Sequence, residues 1–310
     1  MTRSPKMAVG PTGSPEWLRE AAEAGGAEIV PEHLASALLW TAPDDPDGLR
    51  DVLERAGERL EWVQLPWAGI EPYVEALDQD RIWSCGKGVY AEPVAEHALT
   101  LMLAAMRCLD RYARSSTWLQ YGHLGVNLKG AKVTILGGGG ITEVLLRLLG
   151  PFECDVTVVR NHPVAMDRCA RVVGSTDREI DSAIRGADAL VVALALTPRT
   201  TGLVDARRLA LLHDRSVVVN VARGSHVVTD DLVDALESGR IMGAGLDVTD
   251  PEPLPPGHSL WRLPNCIITP HVGNTPEMAR PLLAERITDN VRRWISGTDL
   301  IGTVDVAAGY

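Results

Sequence analysis

The 310-residue chain lacks the features that mark several broad classes of protein. Its five cysteines are odd in number and form no C-x-x-C pair, which disfavours a disulfide framework and a zinc site. We therefore expect reduced thiols and no bound metal. The longest apolar run, residues 189–196, is far too short to span a membrane and predicts a buried strand instead.

Basic charge is also scarce, and the net charge of −11 argues against a nucleic-acid backbone or an anionic membrane as a partner. The first residues lead into no apolar stretch long enough for a signal peptide, so we expect a cytoplasmic protein. Hydrophobic content of 45% and charged content of 23% are ordinary for a globular protein. At this length the chain can form two domains, each with its own core.

Short apolar, β-rich runs alternate with helical patterns along nearly the whole chain, which is typical of parallel sheets with crossover helices. Near-continuous apolar strands such as Val217-Val218-Val219 indicate a sheet covered on both faces. One long helix is predicted from Pro93 to about Arg114. The pattern as a whole predicts an α/β protein with two Rossmann-like, doubly wound parallel-sheet domains and an active-site cleft between them.

The final helical stretch, Pro276–Ser296, has no strand after it, which suggests that it returns to the first domain. We therefore place residues 1–97 and 278–310 in a substrate-binding lid domain. Residues 98–277 then form the dinucleotide-binding domain.

Four consecutive glycines at 137–140 follow the predicted strand Lys132–Leu136 and open a predicted helix. The first glycine allows a tight turn, the third lets the backbone approach a pyrophosphate, and free N–H groups at the helix start bind the anion. The next motif position is Thr142, where glycine or alanine is usual. A glycine-rich turn of no special role is the alternative, but the strand-loop-helix context favours a dinucleotide site. Its predicted cofactor contacts are Gly137, Gly139, Gly140 and Ile141.

The next predicted strand, Asp155–Val159, is followed by Arg160 and not by the acid that recognises the ribose in many NAD-binding folds. A cation at this position favours the 2′-phosphate of NADP(H). NADP(H) is therefore the favoured cofactor, with NAD(H) as the alternative. That alternative would hold if Arg160 only stacked on the adenine or faced solvent.

Three side chains suited to carbonyl reduction follow runs that predict buried strands. Arg223 can hold a carboxylate bidentately and stays charged near neutral pH. His271 can give and take a proton, and Glu252 can stabilise its charged form. Taken singly, each also suits a structural ion pair or a plain loop residue. Because ligands sit outside the carboxyl ends of strands in open α/β sheets, the three together predict one catalytic site.

Residues 91–275 resemble the D-isomer-specific 2-hydroxyacid dehydrogenase family. The strings that carry the resemblance are Val94-Ala95-Glu96-His97-Ala98, residues 137–142, Asn220-Val221-Ala222-Arg223-Gly224, Gly245-Leu246-Asp247-Val248, Glu252-Pro253-Leu254 and Thr269-Pro270-His271. They occur in the family's order along more than half of the chain. By this resemblance, Arg223 binds the substrate's carboxylate and carbonyl, Glu252 pairs with His271, and His271 is the general acid and base.

The resemblance also implies contacts outside the catalytic trio. Asp247 would hydrogen-bond the nicotinamide carboxamide, while Thr197 and Val221 would line the cofactor. The family's substrate loop corresponds to Trp67, Ala68 and Gly69, whose backbone N–H groups would bind the carboxylate. Read without the resemblance, that loop is a turn with an exposed tryptophan.

These observations predict an NAD(P)H-dependent reductase of a small 2-oxo acid, of the glyoxylate/hydroxypyruvate reductase type, acting as a homodimer. One alternative is a non-enzymatic dinucleotide sensor or corepressor on the same fold, since fold does not fix function. Another is a phosphite-type dehydrogenase, which uses a similar trio. The sequence does not determine which 2-hydroxy acid is the substrate.

Overall fold

The computed structural model describes residues 6–118 and 124–307. In chain order their strands are β1 (Lys6–Gly10), β2 (Glu28–Ile29), β3 (Ala37–Trp40), β4 (Trp62–Gln64), β5 (Ile82–Ser84), β6 (Lys132–Leu136), β7 (Asp155–Val159), β8 (Arg171–Val173), β9 (Ala189–Val192), β10 (Val217–Asn220), β11 (Gly243–Leu246) and β12 (Cys266–Ile268). Their α-helices are α1 (Glu16–Ala24), α2 (Pro46–Ala56), α3 (Ala91–Met106), α4 (Leu109–Ala113), α5 (Gly140–Leu149), α6 (Asp177–Ile184), α7 (Ala206–Leu209), α8 (Thr229–Glu237) and α9 (Pro276–Ser296).

The chain divides into two compact units. Unit 1 comprises the chain up to Tyr90 together with the chain from Thr275 onward, and unit 2 comprises Ala91–Asn274. The sequence placed the limits at 97/98 and 277/278, which fall inside α3 and α9. Each helix belongs as a whole to one unit, so the divisions lie at the helix starts.

Unit 1 is a parallel sheet of five strands in the order β2-β1-β3-β4-β5. The start of α2 is fixed by Asp45, whose side chain accepts a hydrogen bond of 2.9 Å from the amide of Gly48. α9 lies against α1: a Cβ on Gly25 would come within 2.6 Å of Val291 Cβ, so only glycine allows this approach. The hydroxyl of Thr288 also donates to the carbonyl of Ala21 at 2.8 Å.

Unit 2 is a parallel sheet of seven strands in the order β12-β11-β10-β9-β6-β7-β8. Every residue of β9, β10 and β11 is buried, and separate apolar clusters cover the sheet on its two faces. The predicted fold class, two doubly wound parallel-sheet α/β domains, is therefore confirmed. The described part of the chain contains no helix with the length and apolar character needed to cross a membrane.

The elements depart from the sequence-based prediction in three places. The single helix predicted from Pro93 is two helices, because Cys108 adopts a left-handed conformation with φ 50° that interrupts the helical path. The strand predicted over 189–196 ends at Val192, where its ladder to Leu136 and Asn220 ends. The edge strand β8 was missed, since it is only three residues long and none of them is fully buried.

Candidate active site

The glycine loop joins β6 to α5, and its geometry requires glycine at the first position. Gly137 has φ 113°, and a Cβ there would lie 2.1 Å from the carbonyl oxygen of Ala193. At Gly139, by contrast, no heavy atom stands within 4 Å of a Cβ position, so the backbone is open to a ligand. Thr142 is fully buried and its hydroxyl donates to the carbonyl of Gly137 at 2.8 Å. The unusual threonine therefore closes the loop with its own hydrogen bond.

The start of α5 can bind an anion. The helix has ten residues, and its N-cap, Gly139, provides no side-chain hydrogen bond to the first turn. Within the same described residues, the amides of Gly139, Gly140 and Ile141 donate to no protein acceptor. The first turn of a helix presents such amides together with the positive end of the helix dipole. The loop thus has the form of a pyrophosphate cradle.

Arg160 follows β7 and lies across this loop. A Cβ on Gly138 would come within 2.8 Å of Arg160 Cδ and 3.0 Å of Nε, so the side chain of Arg160 packs directly on Gly138. Its amide donates to the carbonyl of Val173 on β8 at 3.1 Å. Among the described residues its guanidinium has no hydrogen-bond or ion-pair partner, and it is only partly buried. The group is therefore available to an anionic ligand at the loop.

The segment after β10 is held by the side chain of Asn220. Its Nδ2 donates to the carbonyl of Arg223 at 2.8 Å, and its Oδ1 accepts from the amide of Ala222 at 3.0 Å. Gly224 then packs on the loop after β11, since a Cβ there would lie 1.9 Å from the carbonyl oxygen of Thr249. The loop that carries Arg223 is thus in backbone contact with the loop that leads to Glu252.

His271 and Glu252 form a hydrogen-bonded pair, with 2.7 Å between His271 Nδ1 and Glu252 Oε1. Both side chains are exposed, at 51% and 40%, so Nε2 can reach a reactant. His271 has φ 54°, a left-handed conformation that is uncommon outside glycine. Its amide is held by the carbonyl oxygens of Asp247, at 2.8 Å, and Thr269, at 3.0 Å. The structure therefore brings together two of the three predicted catalytic residues in direct contact.

Asp247 is buried, with 3% exposure, and both of its oxygens accept from the segment around His271. Oδ1 accepts from the hydroxyl of Thr269 at 2.6 Å and the amide of Val272 at 2.9 Å, and Oδ2 accepts from the amide of Gly273 at 2.9 Å. Burial by itself raises the pKa of Asp247, but hydrogen bonds from His97, Thr269 and the two amides outweigh it and lower the pKa to about 2. Asp247 is thus an ionised anchor of the loop that carries His271.

His97, on α3, completes this network and was missed as a site residue. Its Nε2 lies 2.9 Å from the hydroxyl oxygen of Thr269 and 3.2 Å from Asp247 Oδ1. Because the Thr269 hydroxyl donates to Asp247, His97 must donate from Nε2. The only sequence signal was its place in the Val94–Ala98 string. His97 and Thr269 are 172 positions apart in the chain, and the pattern of the sequence does not show a contact over that separation.

The remaining predicted contacts also follow strand ends. Thr197 lies after β9, and its amide donates to the hydroxyl of Thr200 at 2.8 Å. Val221 follows β10 and is buried, with 7% exposure. In unit 1, the amides of Trp67, Ala68 and Gly69 donate to no acceptor among the described residues, while the Trp67 carbonyl accepts from Gly86 at 2.8 Å. A loop with free amides of this kind can bind a carboxylate.

The chain is similar to characterised proteins over most of its length. A family model described as D-isomer specific 2-hydroxyacid dehydrogenase, NAD binding domain, matches residues 99–273. A glyoxylate reductase/hydroxypyruvate reductase of Homo sapiens is 31% identical over 85% of this chain and 82% of its own length. An uncharacterised protein of Corynebacterium melassecola is 36% identical over 93% of this chain and 94% of its own length.

A solved structure extends the similarity to three dimensions. A D-isomer specific 2-hydroxyacid dehydrogenase from Xanthobacter autotrophicus Py2, crystallised with NADPH and MES, superposes with a TM-score of 0.84. It is 26% identical, and the match covers 99% of this chain and 100% of that one.

Proposed function

The chain belongs to the D-isomer specific 2-hydroxyacid dehydrogenase family, and from that premise we propose that it reduces a small 2-oxo acid to the D-2-hydroxy acid with NADP(H). The predicted enzyme class, an NAD(P)-dependent D-2-hydroxyacid dehydrogenase, is that of the family. The observation that carries the proposal is the pair His271–Glu252, with 2.7 Å between Nδ1 and Oε1, because the loop that leads to Glu252 is in backbone contact with the Arg223 segment.

Each member of this trio has a distinct task. The Arg223 guanidinium holds the substrate carboxylate and polarises the adjacent carbonyl. His271 donates a proton from Nε2 to the carbonyl oxygen, while Glu252 orients the ring through its hydrogen bond with Nδ1. In the direction of oxidation, the same nitrogen takes the proton from the 2-hydroxyl. Asp247 holds the backbone around His271 so that the ring is presented in one orientation.

The residues of the glycine loop fit a dinucleotide. Gly137 makes the tight turn, Gly139 leaves its surroundings open, and the amides of Gly140 and Ile141 at the start of α5 donate to no acceptor among the described residues. Thr197 and Val221 follow neighbouring strands of the same sheet edge and would line the nicotinamide half. When bound, the nicotinamide supplies the hydride for the carbonyl carbon.

We assign the cofactor preference to NADP(H) because of Arg160. Arg160 directly follows β7, and its guanidinium lies beside Gly138 and has no partner among the described residues. A cation at this position pairs with a 2′-phosphate. The related Xanthobacter enzyme was crystallised with NADPH, which supports the same choice.

The substrate class is drawn from the loop of unit 1 and from the relatives. Free amides at Trp67, Ala68 and Gly69 suit the carboxylate of a 2-oxo acid. The human relative is named for glyoxylate and hydroxypyruvate, and these two acids are the first candidates.

Two expectations about the protein as a whole belong to this proposal. The first is a homodimer, supported by large apolar side chains that are exposed at Leu109 (52%) and Trp118 (90%). Light scattering on the purified protein measures this state. The second is a cytoplasmic location, which fractionation of the source cells tests.

The experiment that tests the reaction is a panel of 2-oxo acids, assayed by oxidation of NADPH and NADH with the purified protein. We expect turnover of glyoxylate or hydroxypyruvate and formation of the D-hydroxy acid, identified by chiral chromatography. Dinucleotide binding without turnover of any 2-oxo acid would instead favour a dinucleotide sensor.

A further inference from the structure

Unit 1 contains a mainly apolar pocket of about 410 Å³ beside the loop of Trp67, Ala68 and Gly69. Its volume is within the range of small-molecule sites, about 300–1,000 Å³. The side chains that matter for its shape are Trp17, Leu18, Trp67, Tyr90, Ala279 and Leu283.

The position of the pocket is that of a ligand site in this class of sheet. In the order β2-β1-β3-β4-β5 the direction of winding reverses between β1 and β3. Ligands of open α/β sheets bind at such a reversal, outside the carboxyl ends of the strands. The pocket is lined by Pro15 after β1, Thr41 after β3 and Trp67 after β4. It therefore occupies the ligand position of unit 1.

Aromatic rings determine what the pocket can hold. The rings of Trp67 and Tyr90 lie 5.9 Å apart at 43°, and Trp67 leaves 41% of its surface exposed. The Tyr90 hydroxyl donates to the carbonyl of Pro66 at 2.7 Å, so its polar atom is already satisfied. The rest of the pocket is apolar surface. Covering it with an apolar group of a ligand removes it from water, which makes the free energy of binding more favourable.

Charge is confined to the outer part of the pocket. Of the lining residues, Glu277 and Arg280 are charged, and both are exposed. The Arg280 guanidinium lies over the ring of Trp17, 5.9 Å from its centroid. The interior thus offers no ionic partner, and it suits an aromatic or branched apolar group and not a hydroxyl or a second carboxylate.

We propose that this pocket receives the apolar side chain of the substrate, so that the enzyme prefers 2-oxo acids with an aromatic or branched substituent to glyoxylate. The proposal rests on the proposed function and narrows its substrate class. Trp67 then serves twice, through its backbone amide for the carboxylate and through its ring for the side chain.

The test compares kcat/KM for phenylpyruvate, 4-methyl-2-oxopentanoate and glyoxylate. We expect phenylpyruvate to exceed glyoxylate by about tenfold or more in the wild type. Ala279→Phe, which fills the pocket from α9, should reduce that ratio about tenfold. Ala284→Phe is the control, because Ala284 lies on the same helix, is partly buried and does not line the pocket. Trp17→Leu removes one ring from the pocket and should also lower the ratio. Because Trp17 is partly exposed, the substitution should have little effect on the stability of the core.

The outcomes separate this proposal from the reaction itself. If glyoxylate is reduced and phenylpyruvate is no better, the pocket proposal is wrong and the proposed function stands. If no 2-oxo acid is reduced, calorimetry with the unreactive probe 3-phenylpropanoate decides the pocket alone. Binding that is lost in Ala279→Phe and kept in Ala284→Phe supports it, and no binding to the wild type overturns it.

Discussion

A Cβ atom on Gly224 would lie 1.9 Å from the carbonyl oxygen of Thr249 and 2.5 Å from the amide nitrogen of Asp250. This contact is between backbones, so neither side can yield by rotating a side chain. Gly224 immediately follows Arg223, and Thr249 precedes the turn that carries Glu252. The glycine therefore fixes the relative position of two loops, and each loop carries a residue of the proposed catalytic trio.

We expect Gly224→Ala to reduce kcat/KM by about a hundredfold, because a shift of about 1 Å in a catalytic group has effects of that size. The measurement is steady-state reduction of the best substrate, with circular dichroism to establish that the variant is folded. Gly150→Ala is the control: its φ is −49° and a Cβ there meets no atom within 4 Å. Equal activity of the two variants would mean that the contact has no part in alignment.

Arg223→Ala should nearly abolish turnover, with a higher KM and a lower kcat, because the carboxylate and the carbonyl both lose their partner. Arg223→Lys keeps the charge but not the planar fork, so we expect partial recovery at most. Arg240→Ala, at an exposed position after α8, controls for loss of one positive charge. If Arg223→Ala keeps kcat/KM within a few-fold of the wild-type value, Arg223 is not part of the active site.

The turnover of a Glu252 variant tests the pair His271–Glu252. Reduction consumes a proton, which we propose that His271 supplies from Nε2. Glu252→Gln keeps the shape of the side chain but removes the carboxylate that contacts Nδ1, so we expect kcat/KM for reduction to fall about tenfold to a hundredfold. Glu237→Gln, exposed at the end of α8, should leave kcat/KM unchanged. If Glu252→Gln also leaves it unchanged, the hydrogen bond of 2.7 Å does not support the proton transfer.

The geometry of parallel sheets determines which parts of this site can be predicted from the sequence. Residues that follow buried parallel strands, such as Arg160 after β7 and Arg223 after β10, lie at the same carboxyl end of the sheet, so their approximate grouping was predictable. The pairing of His97 with Asp247 was not, because α3 reaches β11 through a close approach at Gly245, where a Cβ would lie 2.8 Å from Leu101 Cβ. Neither that approach nor the helix break at Cys108 leaves a periodic signal in the sequence.

Roles were harder to predict than positions. The resemblance implies that Asp247 hydrogen-bonds the cofactor, which stays a prediction, and the structure adds that its carboxylate accepts from Thr269, Val272 and Gly273. At Thr142 the sequence shows only a residue where glycine or alanine is usual, and the structure shows that its hydroxyl donates to the carbonyl of Gly137. In both cases the hydrogen-bond partners depend on tertiary contacts, which the sequence pattern does not show.

Asp247 should make the stability of unit 2 depend on pH. Its pKa in the folded protein, about 2, is below its ordinary value of 3.8. The stabilisation is therefore fully present above about pH 5 and is lost as pH falls toward 2, with a total of about 2 kcal/mol. Asp247→Asn should lower the free energy of unfolding by a similar amount at pH 7, and the difference from wild type should shrink toward pH 3.

Urea unfolding between pH 3 and pH 7 measures this dependence. Asp167→Asn, at an exposed position, is the control and should follow the wild-type curve. Curves for Asp247→Asn and wild type that stay parallel over the whole range would show that Asp247 is not an ionised anchor.

The preference between cofactors rests on Arg160. A guanidinium packed on Gly138 can form charge-assisted hydrogen bonds with a 2′-phosphate, worth roughly 1.5–3 kcal/mol, or about tenfold to a hundredfold in the ratio of kcat/KM for NADPH over NADH. Arg160→Asp should reverse the ratio, because a carboxylate accepts from the 2′-hydroxyl and repels the phosphate. The pH profile should stay unchanged, since Arg160 is not part of the proton-transfer pair. Arg178→Asp, exposed on α6, makes the same change in charge elsewhere on unit 2. If Arg160 only covers the adenine, a contact that both cofactors share, the wild type would show little discrimination and Arg160→Asp would weaken both cofactors equally.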